Sequence, residues 1–198
     1  MVKAILLSDS RDTLFQSSVW GEASVENAVR VGAVIFSLEG NPGANGAPRD
    51  ILVRDQRHNY LWLRKCFPSA FQNKKWLDVL PVSCAGVTVG GARGVMQYVQ
   101  SMITVALTVS DKCFRTNIDQ GIHNVLLNAS IRGEDGSLHI WPISNGESPV
   151  YNAGYGMPLS YQKRPPLIYV KRGAWTFHPA IVHQFDRDQH VKKMMEGL

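Results

Sequence analysis

The chain has no Cys-x-x-Cys pair, and its three cysteines, Cys66, Cys84 and Cys113, lie too far apart to suggest a zinc site. An odd count leaves two arrangements open: one disulfide plus a free thiol in an oxidising compartment, or three buried thiols in a reducing one. No apolar run reaches the about 18 residues a membrane-spanning helix needs. The N-terminus lacks the charged, apolar and small-residue order of a signal peptide. There is no Gly-Lys-Ser/Thr loop and no Gly-x-Gly-x-x-Gly turn, which excludes a P-loop and a dinucleotide fingerprint. Basic residues do not gather: the formal net charge is +5 and the pI 9.2, yet pairs such as Lys171-Arg172 and Lys192-Lys193 are scattered. Such a balance suits a phosphate-bearing ligand, although ordinary surface charge is the readier explanation. The acidic residues outside Asp9 and Asp12 are dispersed as well. That argues against a phosphoesterase or nucleotidyltransferase, whose sites gather several carboxylates around two ions.

What is present is the material of one domain: 198 residues, 44% of them hydrophobic, enough for a single core spanning residues 1–198. Strand-like and helix-like stretches alternate, the signature of an α/β fold. The apolar run Val2-Lys3-Ala4-Ile5-Leu6-Leu7 stops at Ser8-Asp9-Ser10-Arg11-Asp12, which sets two carboxylates and a guanidinium at a strand's carboxyl end. Open α/β sheets keep their chemistry there, and carboxylates on a tight turn can hold Mn²⁺ or Mg²⁺ against a diphosphate. The competing reading is structural, with Asp12 capping the following element and Arg11 paired on the surface.

Further along, Val31 to Leu38 reads as a buried strand, Gly40 to Pro48 as a loop, and Asp50 to Cys66 as a helix ended by Pro68. Trp62 and Trp76 are core or cleft-wall candidates, either of which could stack on a sugar face. Val79 to Gly94 reads as a strand entering a glycine-rich turn at Gly86, Gly90, Gly91 and Gly94, then a helix with one buried face at Val95, Val99, Met102 and Ala106. The glycines serve either close packing or the approach of backbone N–H groups to an anion. Thr116-Asn117-Ile118-Asp119 opens an amphipathic helix, and Asp119 suits a capping box and the helix dipole. A carboxylate pointing from there into a cleft could also meet an acceptor hydroxyl, although the dipole lowers its basicity. Gly136 to Ile143 and Pro166 to Arg172 read as strands around a turn-rich stretch, Asn145 to Pro158. His183 ends a last apolar strand.

Five segments resemble, in order, the landmarks of GT-A-type glycosyltransferases. Asp9-Ser10-Arg11-Asp12-Thr13-Leu14-Phe15-Gln16 resembles a DxRDxxFQ variant of the DxD metal motif. Ser83-Cys84-Ala85-Gly86-Val87-Thr88-Val89-Gly90 is similar to the CSGvtiG strand, and Tyr98-Val99-Gln100-Ser101-Met102 to the helix after it. Asp119-Gln120-Gly121-Ile122-His123-Asn124 resembles DQgiHN, and Pro179 to Arg187 resembles PaivHQyDR. Together they cover most of the chain between Leu6 and Arg187.

The resemblance implies a GT-A-like mixed sheet flanked by helices. In that family a nucleotide-binding βαβ half normally precedes the metal motif, so an N-terminally truncated domain with an exposed apolar margin at Val2 to Leu7 is expected. It implies transfer of a hexosyl or pentosyl group from a nucleotide-sugar donor to a glycan or glycoconjugate acceptor, with Mn²⁺ or Mg²⁺ and no nucleic-acid partner. The metal would be held by Asp9 and/or Asp12 with a C-terminal histidine, His183 by position or His178 as the competitor. Arg11 and Arg187 are the expected diphosphate partners. Gly86, Asn124 and Gln184 are expected on the substrate side, and Asp119 and Gln120 orient the acceptor or take part in catalysis. The alternative is an inactive truncated domain that binds glycans or partner proteins. The resemblance would place the full-length protein in the Golgi lumen or at a membrane through an upstream anchor, and the cytoplasm is the setting otherwise.

Overall fold

The acidic turn is where the chain leaves one sheet and enters another. In the computed structural model, which describes residues 2–42, 48–68, 78–111, 113, 118–133, 138–154, 159–163, 166–172 and 175–195, the run before the turn forms β1 (Ala4–Ser8) and the residues after it form β2 (Thr13–Phe15). Helix α1 (Ala23–Val31) buries Val25 and Ala28 and is stopped by Gly32, whose left-handed backbone (φ 70°) turns its N–H back onto the Ala28 and Val29 carbonyls. Val31 therefore closes a helix, and the strand expected from Val31 starts later, as β3 (Val34–Leu38).

The expected Gly40–Pro48 loop is bounded by a small hairpin, β4 (Gly40–Pro42) with β5 (Pro48–Asp50); residues 43–47 lie outside the described residues. The helix expected from Asp50 begins later, because a short 3₁₀ turn at Val53–Asp55 comes first and α2 spans Arg57–Cys66. Trp76 lies outside the described residues.

The expected glycine-rich turn is instead a continuous strand, β6 (Ser83–Gly91), running directly into α3 (Ala92–Ala106). Close packing explains the glycines: a Cβ on Gly90 would meet the Ala33 carbonyl oxygen at 2.4 Å, and one on Gly94 the Gly32 oxygen at 2.3 Å. Gly91 N–H donates to Ala33 O and Ala92 N–H to Lys3 O, so these amides serve the sheet and not an anion.

Next come α4 (Ile118–Ile131), whose cap residues 116 and 117 lie outside the described residues, and β7 (Ile140–Ile143). The stretch expected to be turn-rich also contains a fully buried strand, β8 (Val150–Asn152). Strands β9 (Ser160–Lys163), β10 (Pro166–Arg172) and β11 (Trp175–Phe177) form an antiparallel sheet, before β12 (Ile181–His183) and α5 (Gln189–Met195).

The main sheet has the order β1-β6-β3-β7, with β6 antiparallel to both neighbours and β3 parallel to β7. A second mixed sheet has the order β2-β12-β8, with β12 antiparallel to β2 and parallel to β8. The protein is thus a mixed α/β fold. Period-two alternation in β3 builds two of the cores: Val34, Phe36 and Leu38 face Leu63, Val95, Tyr98, Ile122 and Leu126 of α2–α4, while Ile35 faces Val25 and Ala28 of α1 on the opposite side, and a further cluster joins Tyr151, Ile168, Val170, Val182 and Val191. Phe36 stacks on His123 at 3.7 Å between centroids and meets Tyr98 edge-on at 5.4 Å. Removing its ring should cost about 3–5 kcal/mol.

Strand β1 is an edge of the main sheet among the described residues, with Val2 67% and Leu7 38% exposed. Cys66 and Cys113 are joined as a disulfide, and Cys84 is free and buried. Among the described residues no helix is long and apolar enough to cross a membrane.

Candidate functional site

Two sheets meet at the acidic turn through backbone bonds at each end. Asp9 N–H donates to Gly86 O at 2.7 Å, continuing the β1–β6 ladder, and Gln184 N–H donates to Asp12 O at 2.7 Å beside the β2–β12 pair. The turn is pinned between Gly86 on one sheet and His183-Gln184 on the other. As a result Asp9 Oδ2 lies 3.6 Å and Asp12 Oδ1 3.5 Å from His183 Nε2. Candidate ligand atoms of these three residues all lie within 4.8 Å of one another.

The imidazole's proton can be located from its neighbours. Asn152 Nδ2 donates to the Ser37 carbonyl at 3.1 Å, which aims Asn152 Oδ1 at His183 Nδ1, 3.1 Å away. Cys84 Sγ also lies 3.4 Å from Nδ1, but the amide oxygen is the closer and stronger acceptor and favours the tautomer with the proton on Nδ1 and the lone pair on Nε2. Burial, opposed by Asp12 and Asp9, holds the His183 pKa below its ordinary value, so the ring is neutral. Nε2 is buried without a hydrogen-bond partner. An unprotonated nitrogen facing two carboxylates sets three Lewis bases against one another, an arrangement a divalent cation relieves. Gly86 leaves the room, since a Cβ there would lie 2.2 Å from Nε2 and 2.9 Å from Asp9 Oδ2. The donor set of one imidazole and two carboxylates fits Mn²⁺ or Mg²⁺. His178 stands apart, exposed, with its ring against Tyr169.

The cluster opens into a cleft of about 430 Å³. Asp9, Arg11, Asp12, Gly86, Asp119, Gln120, His183, Gln184 and Arg187 all line it. Asn124 does not, and its expected place on the substrate side is corrected here. It is 3% exposed, and its amide is engaged with Ser83 N–H, Ser83 O and Gln120 O, each at 2.9 Å. Gln120 is held too: its Oε1 accepts from Ala85 N–H at 2.8 Å and its Nε2 donates to Ser83 O at 2.7 Å. His123 completes the set. Ser83 Oγ donates to Ser37 O, so it accepts from His123 Nε2–H at 2.9 Å, while Tyr98 OH donates to Nδ1. Burial drives the His123 pKa down to about 3, which keeps it neutral. Residues 120, 123 and 124 therefore fasten α4 to β6, while Asp119, exposed in the first turn of α4, lines the cleft beside Gln120.

Gln184 has a left-handed backbone (φ 59°), unusual for a side-chain-bearing residue, and its buried Oε1 has no partner. Arg187, which also lines the cleft, has its Nε 3.9 Å from Asp186 Oδ1.

Sequence reasoning did not single out Glu39, His58 or Asn59, which line the same cleft beside Trp62. Glu39 is 3% exposed, and burial raises its pKa to about 7 against the weaker opposing pull of Gln56, Cys84 and Arg187. Its carboxylate accepts a hydrogen bond from Gln56, whose own carbonyl accepts from Asn59. A signal for Glu39 existed, because it follows the apolar run of β3 as Asp9 follows that of β1. Comparison with family models, with curated proteins and with solved structures finds no match.

Proposed function

We propose that this chain is a glycosyltransferase of GT-A type that moves a sugar from a nucleotide-diphospho-sugar donor to a glycan or glycoconjugate hydroxyl. The observation that carries the reading is the meeting of Asp9, Asp12 and the partnerless Nε2 of His183 on the wall of a cleft. In this reading Asp9, Asp12 and His183 hold Mn²⁺ or Mg²⁺, which when bound supplies Lewis-acid neutralisation of the diphosphate. Arg11 and Arg187 bring guanidinium forks to the phosphate oxygens. Asp119 orients the acceptor hydroxyl. Gln120 and Asn124 act through β6, holding Ser83 and Ala85, the residues just before Gly86, in place. Asn152 keeps the His183 proton on Nδ1.

The test is incubation with radiolabelled nucleotide-sugars and glycan acceptors, with Mn²⁺ and with chelator. The expected result is metal-dependent release of the sugar from the donor, lost in Asp12→Asn. Mn²⁺ and sugar binding without any donor cleavage would favour a glycan-binding module instead.

A further inference from the structure

We propose that the cleft wall formed by Glu39, Asn59 and Trp62 is a subsite for an uncharged sugar ring, which recognises hydroxyl groups and rejects sugars that carry a carboxylate. The inference rests on the glycosyltransferase reading for its context but on separate residues for its support.

The first support is an unsatisfied acceptor. Gln56 is oriented by giving its amide N–H to Glu39, so its carbonyl must accept from Asn59 Nδ2. Asn59 Oδ1 is then the free end of the relay. It is buried without a partner on a residue only 2% exposed that lines the cleft. A buried carbonyl oxygen left unpaired destabilises the protein, and a ligand hydroxyl that donates to it removes that penalty.

The second is Glu39. At neutral pH its carboxyl is divided between the protonated and ionised forms, so it can give a hydrogen bond to a hydroxyl oxygen or take one from a hydroxyl proton. Hydroxyls, which both donate and accept, match that ambivalence. A ligand carboxylate can only accept, so it is compatible with the protonated form alone, and against ionised Glu39 it would bury two like charges together.

The third is the apolar face. Trp62 and His58, one turn apart on α2, present rings stacked at 5.9 Å between centroids and 22° between planes. A pyranose has one face of C–H groups that packs on such a surface while its hydroxyls point to polar partners at the edge. The guanidinium groups of the cleft, Arg11 and Arg187, come from the acidic turn and from the turn after β12, not from α2 or β3. Anion recognition and hydroxyl recognition thus arise from different parts of the chain.

The test is saturation-transfer NMR on the full chain with D-glucose, D-galactose and D-xylose, and with D-glucuronate as the charged counterpart. The neutral sugars should receive saturation and glucuronate should not. Asn59→Ala should weaken the signal about fivefold or more, as expected for one lost hydrogen bond. Trp62→Ala, at a half-buried position less critical to folding, should abolish it and serves if Asn59→Ala does not fold. No transfer to any neutral sugar, equal transfer to glucuronate, or a wild-type signal in a folded Asn59→Ala or Trp62→Ala variant would each overturn the subsite. The assay needs neither metal nor nucleotide. A failure of Mn²⁺ binding would therefore sink the glycosyltransferase reading while leaving this result standing, and the reverse also holds.

Discussion

Gly86 and His183 approach so closely that a methyl group on Gly86 would lie 2.2 Å from the imidazole Nε2. Nothing larger than hydrogen is tolerated between β6 and the metal-binding candidates. Gly86→Ala should push the ring away from Asp9 and Asp12. We expect a loss of stability of about 1–3 kcal/mol, the usual cost of overpacking, together with loss of the Mn²⁺-induced rise in melting temperature. Thermal melts of both proteins with and without Mn²⁺ measure the two effects. A variant that still gains stability from Mn²⁺ would mean that the metal binds elsewhere.

Glu39 gives a pH signature. Its carboxyl is held protonated in the fold up to about pH 7, against an ordinary value of 4.5. As pH rises from about 4.5 to about 7 the unfolded chain gives up this proton while the folded chain keeps it. The group's contribution to stability therefore falls through that window, by about 3 kcal/mol in all, and levels off above it. Glu39→Gln retains a hydrogen-bond acceptor and removes the titration. The stability of the variant relative to wild type should climb across the window, as urea melts at several pH values would reveal. Parallel pH profiles for the two proteins would contradict a buried, proton-retaining Glu39.

Neighbours on α4 should behave differently. Asp119 is exposed in the first turn, so Asp119→Asn should change stability by no more than about 1 kcal/mol, the scale of a cap or dipole contact. Loss of sugar transfer at that unchanged stability is the expected result, and unaltered transfer would leave Asp119 with a structural role alone. Gln120 is bonded at both ends of its amide to Ser83 and Ala85, so Gln120→Ala should lose about 1–3 kcal/mol. Urea midpoints read both.

The acidic turn was legible in the sequence because an apolar strand ending in clustered carboxylates is a local pattern. His183 was legible because it ends such a strand as well. What joins them was not, since the bonds from Asp9 to Gly86 and from Gln184 to Asp12 link residues far apart in the chain. The β6 glycines looked like a turn, because sequence does not report that Ala33 and Gly32 crowd them. Strand β8 was hidden by flanking turn residues, although Asn145, fully buried and bonded to both the N–H and the carbonyl of Asn152, is what fastens it. Asn59 gave no local signal, as its position depends on a relay through Gln56.

The Cys66–Cys113 disulfide ties the end of α2, which carries His58, Asn59 and Trp62, to the segment before α4. It spans 47 positions, and closing a loop of that length stabilises by about 4 kcal/mol in the chain-entropy account. Reduction should therefore lower the melting temperature markedly, a change that scanning calorimetry with and without reductant would register. An unchanged melting temperature after verified reduction would show that packing alone holds α2.

Binding of Mn²⁺ itself, followed by electron paramagnetic resonance as the free-ion signal disappears on titration, is the most direct measurement. The account predicts that the wild-type chain takes up Mn²⁺ at a specific site. Uptake should be lost or much weakened in Asp9→Ala, whose side chain is 61% exposed and dispensable for folding, and in Asp12→Asn. Absence of bound Mn²⁺ in the folded wild type, or undiminished uptake by both variants, would contradict the metal-dependent site on which the proposed transfer rests.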